Sequence, residues 1–263
     1  MVGKILAVTN QKGGVGKTTT CINLAASLVA TKRRVLLVDL DPQGNATMGS
    51  GVAKNELERS VYDVLIGECE IERAIQATEQ AGYDILPANG DLTAAEVELL
   101  DLSSKEKRLA YALRKVQDNY DFILIDCPPS LNMLTVNALA AANGVVIPMQ
   151  CEYYALEGLS ALIDTIGRIT EVLNPGLEIE GLLRTMYDPR NGLTNDVSAQ
   201  LTQHFGDRVY RTVIPRNVRL AEAPSHGLPA MVYDKQSKGA LAYLALAGEL
   251  IRKQEKPRQA ISA

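Results

Sequence analysis

The sequence predicts an α/β fold, a mostly parallel twisted sheet with helices on both faces. Three observations carry that prediction. Short, wholly apolar runs recur, and two of them end in aspartate: Val35-Leu36-Leu37-Val38-Asp39 and Phe122-Ile123-Leu124-Ile125-Asp126. Strands covered on both faces of a parallel sheet have this character. Segments with helical spacing separate the runs along the chain, as in an alternating βα architecture. The first run, Ile5-Leu6-Ala7-Val8, leads within a few residues into Lys12-Gly13-Gly14-Val15-Gly16-Lys17-Thr18-Thr19, a glycine-rich turn that opens a helix. The 263 residues suit one large domain with a sizeable core. No linker or repeat is visible, so residues 1–263 are expected to form a single domain. An N-terminal helix-turn-helix is not expected, because the first strand begins by Lys4.

The elements follow in order. Residues 16–31 form a helix with Ile22, Ala25, Ala26 and Val29 on one face. Residues 35–38 are a buried strand with function expected at its carboxyl end. Short helices are expected at 60–66 and 70–77 around Gly67, then a short strand at Asp84-Ile85-Leu86-Pro87. Ser103 or Ser104 caps a helix through 118, with Leu109, Leu113 and Val116 inward. The strand at 122–125 is followed by the breaker Pro128-Pro129, and Val145-Val146-Ile147 is a third buried strand. A helix from Leu156 to Leu173 ends at Pro175-Gly176. A strand at 179–186, a helix near 194–205, a strand near 209–214 and a helix near 239–253 complete the chain.

Composition narrows the class. Apolar residues make up 46% and charged residues 22%, ordinary for a globular protein. Trp is absent and Phe occurs twice, so Leu, Ile, Val and Ala must build the core. No apolar stretch has the length of a membrane span, and no signal peptide is expected. Cys21, Cys69, Cys127 and Cys151 show no Cys-x-x-Cys spacing and read as small apolar residues of a reducing compartment. The net charge of −4 argues against attraction of the whole molecule to nucleic acid, while allowing a local basic patch.

The glycine turn carries the most specific chemistry. Successive N–H groups of such a turn make a nest for phosphate oxygens. Lys17 adds a charge for the β/γ-phosphates, and the Thr18 hydroxyl can ligate Mg²⁺. The stretch departs from the common phosphate-loop rule: Gln11 stands where the first glycine belongs, and an extra lysine, Lys12, precedes the glycine pair. A cation delivered in trans during phosphoryl transfer is worth about 10³–10⁵ in rate, and a lysine beside two glycines suits close approach to a partner. Asp39 and Asp41 flank Leu40, and Asp126 ends a second strand. Ligands of such sheets lie at the carboxyl ends of the strands, so the loop, Asp39–Asp41 and Asp126 are expected to converge. The plainer alternatives are a tight turn, capping aspartates and a solvated lysine.

Taken together with Asp39-Leu40-Asp41-Pro42-Gln43-Gly44-Asn45 and Asp126-Cys127-Pro128-Pro129-Ser130, this glycine loop resembles the nucleotide motifs of the ParA/Soj-type chromosome-partition ATPases, of the deviant phosphate-loop (Walker A) class. The likeness continues through Glu152-Tyr153-Tyr154-Ala155-Leu156-Glu157-Gly158 and Val213-Ile214-Pro215-Arg216-Asn217-Val218-Arg219-Leu220-Ala221-Glu222-Ala223-Pro224-Ser225, nearly the whole chain. It implies an ATPase using ATP and Mg²⁺, weak without its partner. Lys12 is then the signature lysine that crosses a sandwich dimer, with Gly13 and Glu152 also at the dimer face. Gly13, Gly14, Val15, Gly16, Lys17, Thr18 and Thr19 hold phosphates, and Thr18 and Asp126 the metal, Asp126 through water. Asp41 positions the attacking water, and Met186, Pro215 and Arg216 lie near adenine. The resemblance further implies an ATP-bound homodimer on double-stranded DNA without sequence preference, a ParB-type protein that stimulates hydrolysis and release, and a cytoplasmic, nucleoid-associated location.

From Arg184 to Arg219 there are six arginines, three aspartates and no lysine. Composition alone reads this as a solvated face; the resemblance turns Arg190 and Arg219 into DNA contacts. Tyr153 and Tyr154 are expected in the core or in dimer packing, and His204 and His226 as structural or surface residues. Three other functions compete. A membrane-bound division-site ATPase needs a bulky apolar C-terminal helix, against which Lys256-Pro257-Arg258-Gln259-Ala260-Ile261-Ser262-Ala263 counts. An iron–sulfur ATPase needs clustered thiolates. A small-molecule ligase or kinase needs further catalytic groups.

Overall fold

The computed structural model describes residues 3–255. The tail from Lys256, on which the absence of a membrane-binding helix was argued, lies outside them, as does the end of the basic run Arg252–Arg258. The described elements are β1 (Lys4–Val8), α1 (Lys17–Ala30), β2 (Val35–Asp39), α2 (Asn45–Gly49), α3 (Val61–Ile66), α4 (Ile71–Ala74), β3 (Gln76–Ala77), β4 (Asp84–Leu86), α5 (Leu92–Glu98), α6 (Arg108–Arg114), β5 (Phe122–Asp126), α7 (Met133–Ala141), β6 (Gly144–Gln150), α8 (Ala155–Val172), β7 (Glu178–Thr185), α9 (Gly192–Phe205), α10 (Val218–Glu222), α11 (Ala230–Tyr233) and α12 (Lys238–Glu255).

The seven strands lie in the order β3-β4-β2-β5-β1-β6-β7. Every pairing is parallel except that of β3 with β4 at one edge. The α/β class is therefore as expected. The central strands are apolar throughout because both faces are covered. Alternate residues feed two cores: Ile5, Ala7, Leu36, Val38, Ile123 and Ile125 pack under α3 to α9, whereas Leu6, Val8, Val35, Leu37 and Leu124 pack under α1 and α10 to α12. Each fully buried Leu, Ile or Val contributes roughly 1.5–3 kcal/mol of transfer free energy.

The register positions the site. Val8 and Asp39 are both opposite Asp126, so β1, β5 and β2 finish on one line. The Leu40 amide donates to the Asp126 carbonyl at 2.9 Å, and the Cys127 amide to the Val8 carbonyl at 3.3 Å. The three loops that follow these strands thus start side by side.

Three expectations need correction. The helix expected through 118 is broken: Ser104 is left-handed at φ 53°, and the α-helical part runs from Arg108 to Arg114. Its start is tied by the Asn137 side chain rather than a serine cap; Asn137 accepts from the Leu109 amide and donates to the Lys105 carbonyl. The second short helix stops at Ala74, and Gln76–Ala77 pairs as a strand. Residues 209–214 do not form a strand. The Tyr210 and Ile214 amides bond to β7 carbonyls, but between them the Arg211 and Thr212 amides donate to Glu249 at 2.8 and 3.0 Å. The Glu249 carboxylate takes donors that a sheet ladder would have used, leaving isolated bridges at Val209 and Pro215.

Candidate nucleotide site

The loop between β1 and α1 is built by its neighbours as well as by its glycines. Gly14 and Gly16 adopt φ 73° and 88°, a region closed to most side chains. Asn10 anchors the entry, accepting from the Lys12 amide at 3.0 Å and donating to the Pro148 carbonyl at 2.8 Å. From β7 the Thr185 hydroxyl donates to the Val15 carbonyl at 2.8 Å, pinning the middle of the loop.

Lys17 is buried at the start of α1, and its Nζ donates to the Lys12 carbonyl at 3.1 Å. Burial lowers its pKa, while the Asp126 and Asp41 carboxylates oppose that fall. An ammonium has three donors, and this bond accounts for one. Thr18 and Thr19 follow on the half-buried first turn.

The carboxylates differ sharply in setting. Asp39 is fully buried; its Oδ2 accepts from the Thr47 amide at 2.8 Å and the Thr47 hydroxyl at 2.7 Å, and its Oδ1 from the Asp41 amide at 3.2 Å. Desolvation raises it to about 6 against those bonds. Asp41 is half-buried, bonds the Gln43 amide at 3.0 Å, and acts electrostatically on Lys17. Gly44 ends this turn at φ 61°, where an added Cβ would fall 2.7 Å from the Ala88 carbonyl oxygen.

Asp126 is fully buried. Cys21 donates to its Oδ1 at 3.6 Å, and Oδ2 is buried without a hydrogen-bond partner. Desolvation pushes its pKa well above the usual carboxylate range, and Asp39 adds to this; Thr18 and Lys17 pull the other way. An orphaned carboxylate oxygen beside the Thr18 hydroxyl is a donor set suited to Mg²⁺, directly or through water. The residues fit the metal.

The structure brings Lys12 and Glu152 together within one chain, Nζ to Oε2 at 2.5 Å, both about half exposed. Tyr153 and Tyr154 follow, 74% and 72% exposed and packed edge to face, so the core expectation for them is wrong. Met186 sits at the end of β7 with φ 49°, rare for a side-chain-bearing residue. The Tyr187 amide donates to the Ile214 carbonyl, so Met186 and Pro215 come from adjacent segments at the same end of the sheet as the loop, with Arg216 exposed beside them. Arg190 grips Asp188 with two bonds of 2.9 and 2.8 Å, and Arg219 pairs with Glu222 and Asp234. Arg184, from the same basic stretch, instead braces Ser198 and the Tyr210 carbonyl. The cysteines are free thiols, with Cys21, Cys127 and Cys151 buried. His226 stacks on Tyr233. Thr185 and Thr47 were not singled out by sequence: Thr185 acts on a loop far along the chain, and Thr47 turns back onto Asp39 from the next helix.

Comparison with known proteins finds relatives over nearly the whole chain. Residues 3–179 match the family model AAA_31, described as an AAA domain. The Bacillus subtilis sporulation initiation inhibitor protein Soj is 55% identical over 249 residues, covering 95% of this chain and 98% of that protein. The Caulobacter vibrioides chromosome partitioning protein ParA is 51% identical over 262 residues, 99% and 98% of the two chains. Among solved structures, a Mycobacterium smegmatis protein described as cobyrinic acid a,c-diamide synthase, with bound ADP and magnesium, superposes with a TM-score of 0.86 at 40% identity over 97% of both chains. No helix among the described residues is long and apolar enough to cross a membrane.

Proposed function

This chain belongs to the ParA/Soj family of chromosome-partitioning ATPases, and from that premise we propose that it is an ATP-driven DNA-segregation switch. It is a phosphate-loop ATPase whose ligands are ATP and Mg²⁺. One observation carries the proposal furthest: the in-register ends of β1, β5 and β2 set the glycine loop, Asp126 and Asp41 around one mouth, with Lys12 at its exposed rim.

Residues 13–19 cradle the phosphates, and Lys17 spends its remaining donors on them. Thr18 and Asp126 hold Mg²⁺, which supplies charge neutralisation on the phosphates when bound. Asp41, fixed by its own turn, orients the attacking water. Met186, Pro215 and Arg216 border the base. Lys12 and Gly13 are exposed, so a second copy can close over this mouth and receive Lys12 as its trans cation. The chain works as one ATPase domain whose ATP-bound homodimer binds double-stranded DNA without sequence preference through Arg190 and Arg219. A ParB-type protein stimulates an otherwise weak hydrolysis and releases the DNA. Dimerisation joins two weak basic patches, and the gain in effective concentration lets a net acidic chain hold DNA only with ATP.

The test is a salt titration of DNA affinity for wild type, Arg190→Ala and Arg219→Ala, with a slowly hydrolysed ATP analogue and with ADP. Each lost phosphate contact should lower the slope of log affinity against log salt by about 1, equally for unrelated sequences. Unchanged slopes, or equal binding with ADP, would refute the switch.

A further inference from the structure

The helix α5, with the 3-10 turn Leu99–Asp101 that continues it, is apolar on both sides. Leu92, Ala95 and Leu99 face the core, as an amphipathic helix requires. On the opposite side Val97 and Leu100, three residues apart, stand 68% and 53% exposed beside the exposed Ala94. Residues at this spacing are neighbours, so they form a stripe facing solvent. Four carboxylates border it: Asp91, Glu96, Glu98 and Asp101. None of them forms a salt bridge among the described residues. Glu98 accepts from the Tyr62 hydroxyl, Asp91 from the Asn89 amide, and the nearby Lys105 turns to the Leu100 carbonyl.

This face is tied to the catalytic mouth. Glu96 accepts from Asn132 Nδ2 at 2.6 Å. Asn132 in turn caps α7 through the Thr135 amide and closes the segment that starts at Asp126. On that segment Leu131 is 46% exposed.

We propose that the outer face of α5 docks a cationic amphipathic segment of the partner that stimulates hydrolysis, and that docking moves the Asp126 segment through the Glu96–Asn132 bond. The identity of the partner rests on the partition reading; the surface does not. Charge selects the occupant. Apolar side chains cover the stripe, and basic ones neutralise four carboxylates that no cation among the described residues pairs. A second copy brings the same acidic face and a net charge of −4.

The probe is a fluorescein-labelled 18-residue peptide with Leu at helical spacing and Lys elsewhere, titrated against the full chain by anisotropy. Both Val97→Ser/Leu100→Ser and Glu98→Lys/Asp101→Lys should weaken binding by about tenfold or more, and the matching Leu/Glu peptide should not bind. All four positions are exposed, and circular dichroism checks the fold. Equal binding by the variants would overturn the proposal. So would loss of ATP-dependent dimerisation in Val97→Ser/Leu100→Ser, read by light scattering, because the stripe would then be covered by a second copy. Glu96→Ala leaves three of the four carboxylates, so it should weaken the peptide less than Glu98→Lys/Asp101→Lys while losing stimulation by a ParB-type protein; full stimulation would overturn the link to Asp126. If wild type itself is not stimulated, the partition reading and the named partner both fall, while the peptide titration still decides the surface.

Discussion

Replacing Thr185 by Val removes the hydroxyl that pins the glycine loop and keeps the branched shape of the side chain. Thr185 is buried, and its bond to the Val15 carbonyl at 2.8 Å joins β7 to the loop directly. A buried acceptor left without its donor costs about 1–3 kcal/mol. That free energy has two places to appear. If the loop keeps its shape, the folded state carries the cost, and the melting temperature falls by about 2–4 °C for each kcal/mol. If the loop relaxes, the ligand must restore it, and nucleotide affinity falls by about 5- to 150-fold. The loop's other side-chain anchors, Asn10 and the Lys17 ammonium on the Lys12 carbonyl, hold only its entry side. Relaxation is therefore expected to dominate, with a small change in melting and a loss of affinity near tenfold. Fluorescent-ADP titration with melting curves, with and without nucleotide, reads both quantities, and Thr185→Ser should restore them. Unchanged melting together with unchanged affinity would show that the clamp contributes nothing.

Three further outcomes are expected. Asp41→Ala should bind ATP, hydrolyse it slowly and accumulate as a dimer in light scattering; a monomer at saturating ATP would assign Asp41 another role. Gly13→Val should fold and bind nucleotide, since an added Cβ meets no atom within 4 Å, yet fail to dimerise because the branch blocks a close partner; dimerisation at wild-type concentration would refute this. Asp39 makes stability depend on pH: raised from 3.8 to about 6, it binds its proton more tightly folded than unfolded. Its contribution is complete below pH ~4 and is lost as pH rises through ~6, a change of about 3 kcal/mol. Urea denaturation of wild type and Asp39→Asn at pH 4.5 and 7.5 should show the larger fall in wild type; parallel curves would count against the burial argument.

The convergence of the nucleotide site was legible because each component announces itself locally. An apolar run ending in aspartate is a buried strand with a polar end, and parallel packing puts such ends together. What escaped depends on contacts distant in sequence. Thr185 clamps a loop 170 residues away, and nothing in its surroundings marks it. Residues 209–214 have a good strand pattern, but Glu249 on α12 captures two of their amides. The helix after Ser104 is shortened where Asn137 of α7 sets its first turn. The helix α7 itself went unseen because its apolar residues leave no polar face to reveal a period, and α5 and α2 are short enough for loop chemistry to hide them.

The ion pair between Lys12 and Glu152 has a consequence for symmetry. Within a single chain Lys12 is already matched to Glu152. In the proposed sandwich a lysine that crosses to its neighbour leaves its own glutamate vacant, and the two-fold axis delivers the other copy's lysine to the same region. Two contacts inside protomers are exchanged for two between them, much as a swapped segment keeps its interactions while changing owner. Such an exchange is close to neutral in charge, so this pair adds little net attraction to assembly. It makes the lysine's destination dependent on what lies between the subunits. In that proposed sandwich the polyphosphate would decide between closed monomer and crossed dimer, because it adds negative charge to one side of the balance.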